Sequence, residues 1–139
     1  MKKILLLVLA CVMLVSCGKK EVKPVSQESK ITLEAFALAE TIKNAFIVKD
    51  NITLKKTSTE SGYKDITANA RAYDSVEITF TPRWVDMENN KLDVNISWRS
   101  KWTVSGKSSA ERGMAVFVME GTPLKVSRIL RSNPFVMPQ

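Results

Sequence analysis

Side chains that could take a proton, hold a metal or attack a carbon are few in this chain of 139 residues, and it contains no histidine. An imidazole base, a histidine-activated nucleophile and every histidine-containing metal site are excluded on that ground alone. No metal or other cofactor is expected. What remains for acid–base work is a carboxylate. Asp86 is the candidate, because it lies in the run Trp84-Val85-Asp86-Met87, which reads as extended chain with neighbours able to face a core. Asp74 and Asp93 read as solvated positions. Trp84, Trp98 and Trp102 could join Asp86 in lining a ligand pocket, although tryptophans on an apolar strand face more commonly serve as core. Arg83, Arg99, Arg112, Arg128 and Arg131 could gather around an anion, but they are spread over separate segments and read as surface charge.

The remaining reactive residues are two cysteines, Cys11 and Cys17. Lys2 and Lys3 precede an almost unbroken apolar run over residues 4–15, the pattern of a secretory signal. The run is too short to span a bilayer core, which takes roughly 20 apolar residues. Leu14-Val15-Ser16-Cys17 then resembles the lipobox of bacterial lipoproteins. The resemblance implies diacylglycerol on the Cys17 sulfur, cleavage between Ser16 and Cys17, and a mature chain held to a lipid bilayer through its first residue. Each buried methylene of the acyl chains contributes about 0.8 kcal/mol, so two or three chains anchor firmly. Cleavage before Cys11 would leave a stunted signal and an apolar terminus; an ordinary secretory signal, with Cys17 incidental, is the alternative. Gly18 follows Cys17, and by a family-level sorting rule the absence of Asp there implies the outer membrane, facing the periplasm, if the cell has two membranes. In such a protein the glycosylation-type triplets Asn51-Ile52-Thr53 and Asn95-Ile96-Ser97 are chance matches.

These readings divide the chain into a signal over residues 1–16, a lipidated flexible tether over residues 17–30 and one domain over residues 31–139. The tether, rich in Lys, Glu, Ser and Gln, buries too little to order itself. The domain contains no cysteine, so no disulfide holds it and its stability must come from a core. The net charge of +7 is concentrated at the start: residues 31–139 hold 15 Lys and Arg against 12 Asp and Glu, a net of +3. With the basic residues dispersed and no recognition motif present, nucleic acid is not an expected partner.

The pattern changes from helical to alternating near residue 74. Ala35, Leu38, Ala39, Ile42, Ala45 and Phe46 recur at spacings of three and four, predicting a helix over residues 33–48 capped by Thr32 and stopped at Asp50-Asn51. Tyr63, Ile66, Ala70 and Tyr73 suggest a second helix, with residues 51–60 ambiguous. Val76, Ile78 and Phe80 alternate with polar residues, and the run continues to a turn at Glu88-Asn89-Asn90. Leu92, Val94, Ile96, Trp98, Trp102 and Val104 mark a long strand with one wet face. Residues 105–113 read as a polar loop, residues 114–119 as a strand apolar on both faces, residues 120–123 as a turn and residues 124–130 as a last strand. The expected fold is α+β, one or two N-terminal helices packed on a curved antiparallel sheet of about four strands.

That order, with the hairpin around Glu120-Gly121-Thr122-Pro123 and the Asn133-Pro134-Phe135 ending, looks like the nuclear transport factor 2-like superfamily over about residues 31–135. The resemblance implies helices seated in the concave side of a cone-shaped sheet around a pocket. Leu124 stands where many members have tryptophan, and a cystatin-like one-helix arrangement is the alternative. Enzymes of the superfamily use an Asp or His base, often with a Tyr donor, and no such position maps onto this chain. The expected function is therefore a non-enzymatic module that binds an envelope protein, a second copy or a small apolar ligand, with a carboxylate-dependent enzyme as the alternative. One surface is singled out for a partner. If Met114, Val116 and Val118 join the core beside Trp98 and Trp102, then Ala115, Phe117 and Met119 emerge on the opposite face and need a cover. Residues 133–138 could fold back and lay Phe135 and Val136 over them, or a partner could.

Overall fold

The structure, a computed structural model, describes Gly18 and residues 23–139; Ser16, Cys17 and the signal segment lie outside the described residues. Helix α1 (Gln27–Ile47) begins at Ser26, whose hydroxyl accepts the Ser29 N–H at 3.1 Å. It therefore starts inside the stretch expected as tether, and Thr32 is an interior residue. Ser26 followed by Gln27-Glu28 supplies both a cap and a carboxylate at the positive end of the helix dipole, a stronger start than Thr32 offers. Ala35, Ala39, Ile42, Ala45 and Phe46 form the buried stripe, as the spacing predicts. The helix closes at Lys49, left-handed at φ 59, with the Asp50 N–H donating to the Ala45 carbonyl at 2.8 Å. Asp50 at once caps α2 (Asn51–Thr57) by accepting the Thr53 N–H at 3.1 Å. Thr59 caps α3 (Glu60–Ile66) in the same way, through the Gly62 N–H at 3.2 Å. The second expected helix thus ends at Ile66 and leaves Ala70 outside it; Tyr73 still packs edge-on against Trp102, ring centres 4.8 Å apart. Among the described residues no helix is long and apolar enough to cross a bilayer.

Strands β1 (Ser75–Glu88), β2 (Lys91–Val104), β3 (Lys107–Glu120) and β4 (Lys125–Arg131) form one open antiparallel sheet in the order β1-β2-β3-β4. The fold is α+β, with three helices before a four-stranded meander. Two-residue turns join the first three strands: Asn89 and Asn90 have φ 50 and 62, Ser105 and Gly106 have φ 49 and 76, the left-handed pair that matches strand twist. The second turn corrects the expected loop over residues 105–113. Only Ser105 and Gly106 turn; Lys107 to Arg112 pair with β2, exposed because none of the described helices covers this end of the hairpin.

That turn also reverses the expected faces of β3. It sets Val104 opposite Lys107, and the register then runs to Trp98 opposite Gly113 and Val94 opposite Phe117. Side chains alternate along a strand, so a one-residue change of register exchanges the faces. Ala115, Phe117 and Met119 consequently lie on the inner, helix-covered face, each 0% exposed, and Met114, Val116 and Val118 lie on the outer face. Gly113 makes room for an indole: a Cβ there would lie 2.9 Å from the Trp98 ring.

Of the two expected covers for Phe117, the C-terminal segment or a partner, the segment supplies it, but on the inner face and through Phe135 alone. Phe135 sits among Phe46, Phe117 and Phe80, with ring centres 4.7, 6.1 and 6.2 Å away, while Val136 stays partly exposed. Asn133 holds the strap by donating to the Asp65 carbonyl at 2.7 Å and accepting the Phe135 N–H at 2.9 Å. Helix α3 docks on the free edge of β4: Asp65 accepts the Ile129 N–H at 2.9 Å and the Arg128 guanidinium at 3.1 Å. Only glycine fits at position 62, since a Cβ would lie 2.0 Å from the Val126 carbonyl oxygen.

Candidate functional site

The four residues expected to line a pocket are divided between the two faces of the sheet. Trp98 and Trp102 are inner-face core; the Trp98 indole N–H donates to the Ser132 carbonyl at 2.9 Å and that of Trp102 to the Ser100 hydroxyl at 3.1 Å. Trp84 and Asp86 lie on the outer face. A register shift between Pro82 and Trp84 breaks the alternation that carries Val76, Ile78 and Phe80 inward, so Val85 continues the inner row and Trp84 is turned out, 50% exposed. Its indole N–H donates to Asp86 at 3.0 Å, and the Asn95 amide reaches the same carboxylate at 3.4 Å. Asp86 is an exposed hydrogen-bond acceptor, not a desolvated base.

No carboxylate is buried among the described residues; the buried polar side chains are Ser58, Asn95, Ser100 and Ser127, and none of the described buried side chains lacks a hydrogen-bond partner. Nor do three or more Asp, Glu or Cys side chains of the described residues come together as a metal site. The groups with displaced pKa values serve structure. Asp50 is lowered by its Thr53 hydrogen bonds and Glu60 by its contact with Lys64, and Tyr73 is raised by burial. They do not converge on one cavity. A cleft of about 520 Å³ lies where the start of α1 meets the β1–β2 and β3–β4 turns, with Ile31, Met87, Leu92 and Leu124 among its walls.

The outer face carries the most distinctive arrangement. Trp84, Asn95, Val116 and Leu130 lie opposite one another in a single row across the four strands. Trp84 and Leu130 are 50% and 42% exposed at its two ends, with Met114 and Val118 flanking its centre. On one side of this row stand Asp86, Asp93 and Glu88, with Lys91, which pairs with Glu120, and Arg128, which pairs with Asp65. On the other stand Arg83, Arg99, Lys101 and Arg112, interrupted by Glu77. Arg99 lies directly opposite Arg112, a like-charge cross-strand pair that costs a few tenths to about 1 kcal/mol in the isolated sheet. Arg83 bonds the Ser97 hydroxyl at 2.7 Å, and the three arginines border a shallow groove of about 570 Å³. Three of the five arginines noted in the sequence are thus gathered on one face; Arg128 pairs with Asp65 and Arg131 is exposed at the end of β4. The strand alternation carried this signal, but only once the Ser105-Gly106 turn aligns Arg99 with Arg112. No protein-family model matches the chain, and no curated protein or solved structure matches it.

Proposed function

We propose that this chain is a bacterial lipoprotein, anchored through acylated Cys17 in the cell envelope, whose domain is a non-enzymatic protein-interaction module presenting the outer face of its sheet. The observation that carries the interaction reading is Trp84, half exposed on the outer face where Arg83, Arg99 and Arg112 gather without an ion pair among the described residues. A half-exposed tryptophan and arginines on one strand face are the composition of an interface centre. The helix-then-meander order supports kinship with the nuclear transport factor 2-like superfamily, in which the helices would sit in a cone; the interior here is filled by Phe46, Phe80, Phe117 and Phe135. The apolar cleft beside the start of α1 supports a second reading, a small apolar ligand held near the membrane end of the domain.

Two experiments test these statements. Cys17→Ser is expected to abolish incorporation of labelled fatty acid and leave the precursor unprocessed; label retained by the variant removes the anchor from the proposal. A photo-crosslinking amino acid at Trp84 of the full chain in its native membrane is expected to give a discrete protein adduct that the same probe at Lys56, on exposed α2, does not. Equal labelling at both positions removes the interaction reading.

A further inference from the structure

Beyond the protein contact proposed for Trp84, we infer that the groove walled by Arg83, Arg99 and Arg112 on the same face is a binding site for a phosphate group. The strand register builds it. Arg99 lies opposite Arg112, and the Ser132 N–H donates to the Met114 carbonyl at 3.1 Å, on the side of β3 away from β2. Backbone groups alternate in direction along a strand, so those of Arg112 also face away from β2. Arg99 and Arg112 are therefore a non-hydrogen-bonded pair, the closer kind, with Cα atoms about 4.5 Å apart, and their side chains leave the sheet side by side. Arg83 joins them from β1 at the register shift, where its Nε–H donates to the Ser97 hydroxyl at 2.7 Å. That bond fixes the guanidinium and uses only one of its donors.

Thr79, Thr81 and Ser97 bring hydroxyls to the same groove of about 570 Å³, and among the described residues no carboxylate lines it. The acidic residues that could compete stand elsewhere. Glu77 lies opposite Lys101, one row of side chains farther along, and Glu111 lies opposite Ser100 on the inner face; both border the adjoining cleft beyond Arg99 and Arg112. Asp86 is engaged by Trp84 and Asn95. None of the ion pairs among the described residues includes the three arginines. A phosphate group suits this set better than a carboxylate, because its tetrahedral oxygens can accept from guanidinium forks and hydroxyls on several sides at once. Its negative charge also relieves the apposition of Arg99 and Arg112. Binding should be modest and salt-sensitive, since the groove is shallow and open to solvent.

The test titrates inorganic phosphate into the full chain in a neutral detergent, at constant ionic strength set with chloride, and follows the phosphorus resonance and the melting temperature. The parent chain is expected to broaden the resonance saturably, to melt higher as phosphate rises, and to bind phosphate at least tenfold more tightly than acetate. A chain with Arg99→Gln and Arg112→Gln should bind phosphate at least tenfold more weakly, yet melt no lower than the parent without phosphate, because a like-charge pair has been removed. Lys55→Gln with Lys56→Gln, on exposed α2, should bind as the parent does. Phosphate that binds the arginine variant as well as the parent, or the parent no better than acetate, overturns the inference. Soluble dihexanoyl phosphatidylglycerol reads the source: displacement of phosphate supports a lipid headgroup as the occupant, and no displacement supports free phosphate. If phosphate binding fails while the Trp84 probe still marks a protein, the site is wrong and the interaction reading stands; if phosphate binds and the probe marks nothing above its control, that reading alone has failed.

Discussion

Phe117 points into the core because the two-residue turn at Ser105-Gly106 sets β3 so that Val94 lies opposite it. Its need for a cover was legible from an apolar strand; Phe135 with Val136 and a partner stood as equal candidates to supply it. Which way it points was not legible, because its direction depends on register, and register depends on the length of the turn before β3. Read as part of a nine-residue loop, Ser105-Gly106 left the parity of β3 free; as a two-residue turn it fixes Val94 opposite Phe117. The burial makes a definite prediction. Phe117 is 0% exposed among Phe80 and Phe135, so Phe117→Glu would place an unpaired charge in the core, at a cost comparable with the whole stability of about 5–15 kcal/mol. The variant is expected to lose its cooperative thermal transition and near-ultraviolet circular dichroism. A folded Phe117→Glu domain would mean that this side chain does not occupy the core. The tryptophans repeat the lesson: Trp98 and Trp102 were legible as core from alternation, but Trp84 was not legible as surface, because the shift after Pro82 that turns it outward leaves no mark in hydropathy.

Among the elements, α1 and β2 were legible because their patterns are long and single-sided, whereas α2 and α3, seven residues each, are too short to show a stripe. Their positions come from caps and from one close approach. Helix α3 lies against β4 at Gly62, and Asp65 then occupies the edge of the strand that would otherwise be open. An added methyl group at Gly62 meets a backbone carbonyl, which cannot swing aside as a side chain can. Gly62→Ala should therefore lift α3 from the sheet and destabilise the domain by about 1–3 kcal/mol or more. The same substitution should accelerate hydrogen exchange at the Ile129 amide, which bonds Asp65 at 2.9 Å. Unchanged exchange there would show that the helix is not seated on this edge.

For the molecule as a whole, the absence of histidine and of any cysteine beyond Cys17 leaves packing and hydrogen bonds to hold the domain together. Dithiothreitol and EDTA are expected to leave its melting temperature unmoved, as measured by circular dichroism on the isolated chain; a large fall with either would reveal a disulfide or a metal that the sequence gives no reason to expect. The α+β class and the single core were legible from the change of periodicity near residue 74. The gathering of Arg83, Arg99 and Arg112 on the outer face was not, because it exists only when three strands are aligned. The first residue of α1, Gln27, borders the same cleft as Asn89 and Asn90, so the chain enters the domain at the β1–β2 turn end of the sheet. On the proposed Cys17 anchor the domain hangs from that end, with its strands upright on the bilayer and the Ser105-Gly106 turn farthest from the lipid.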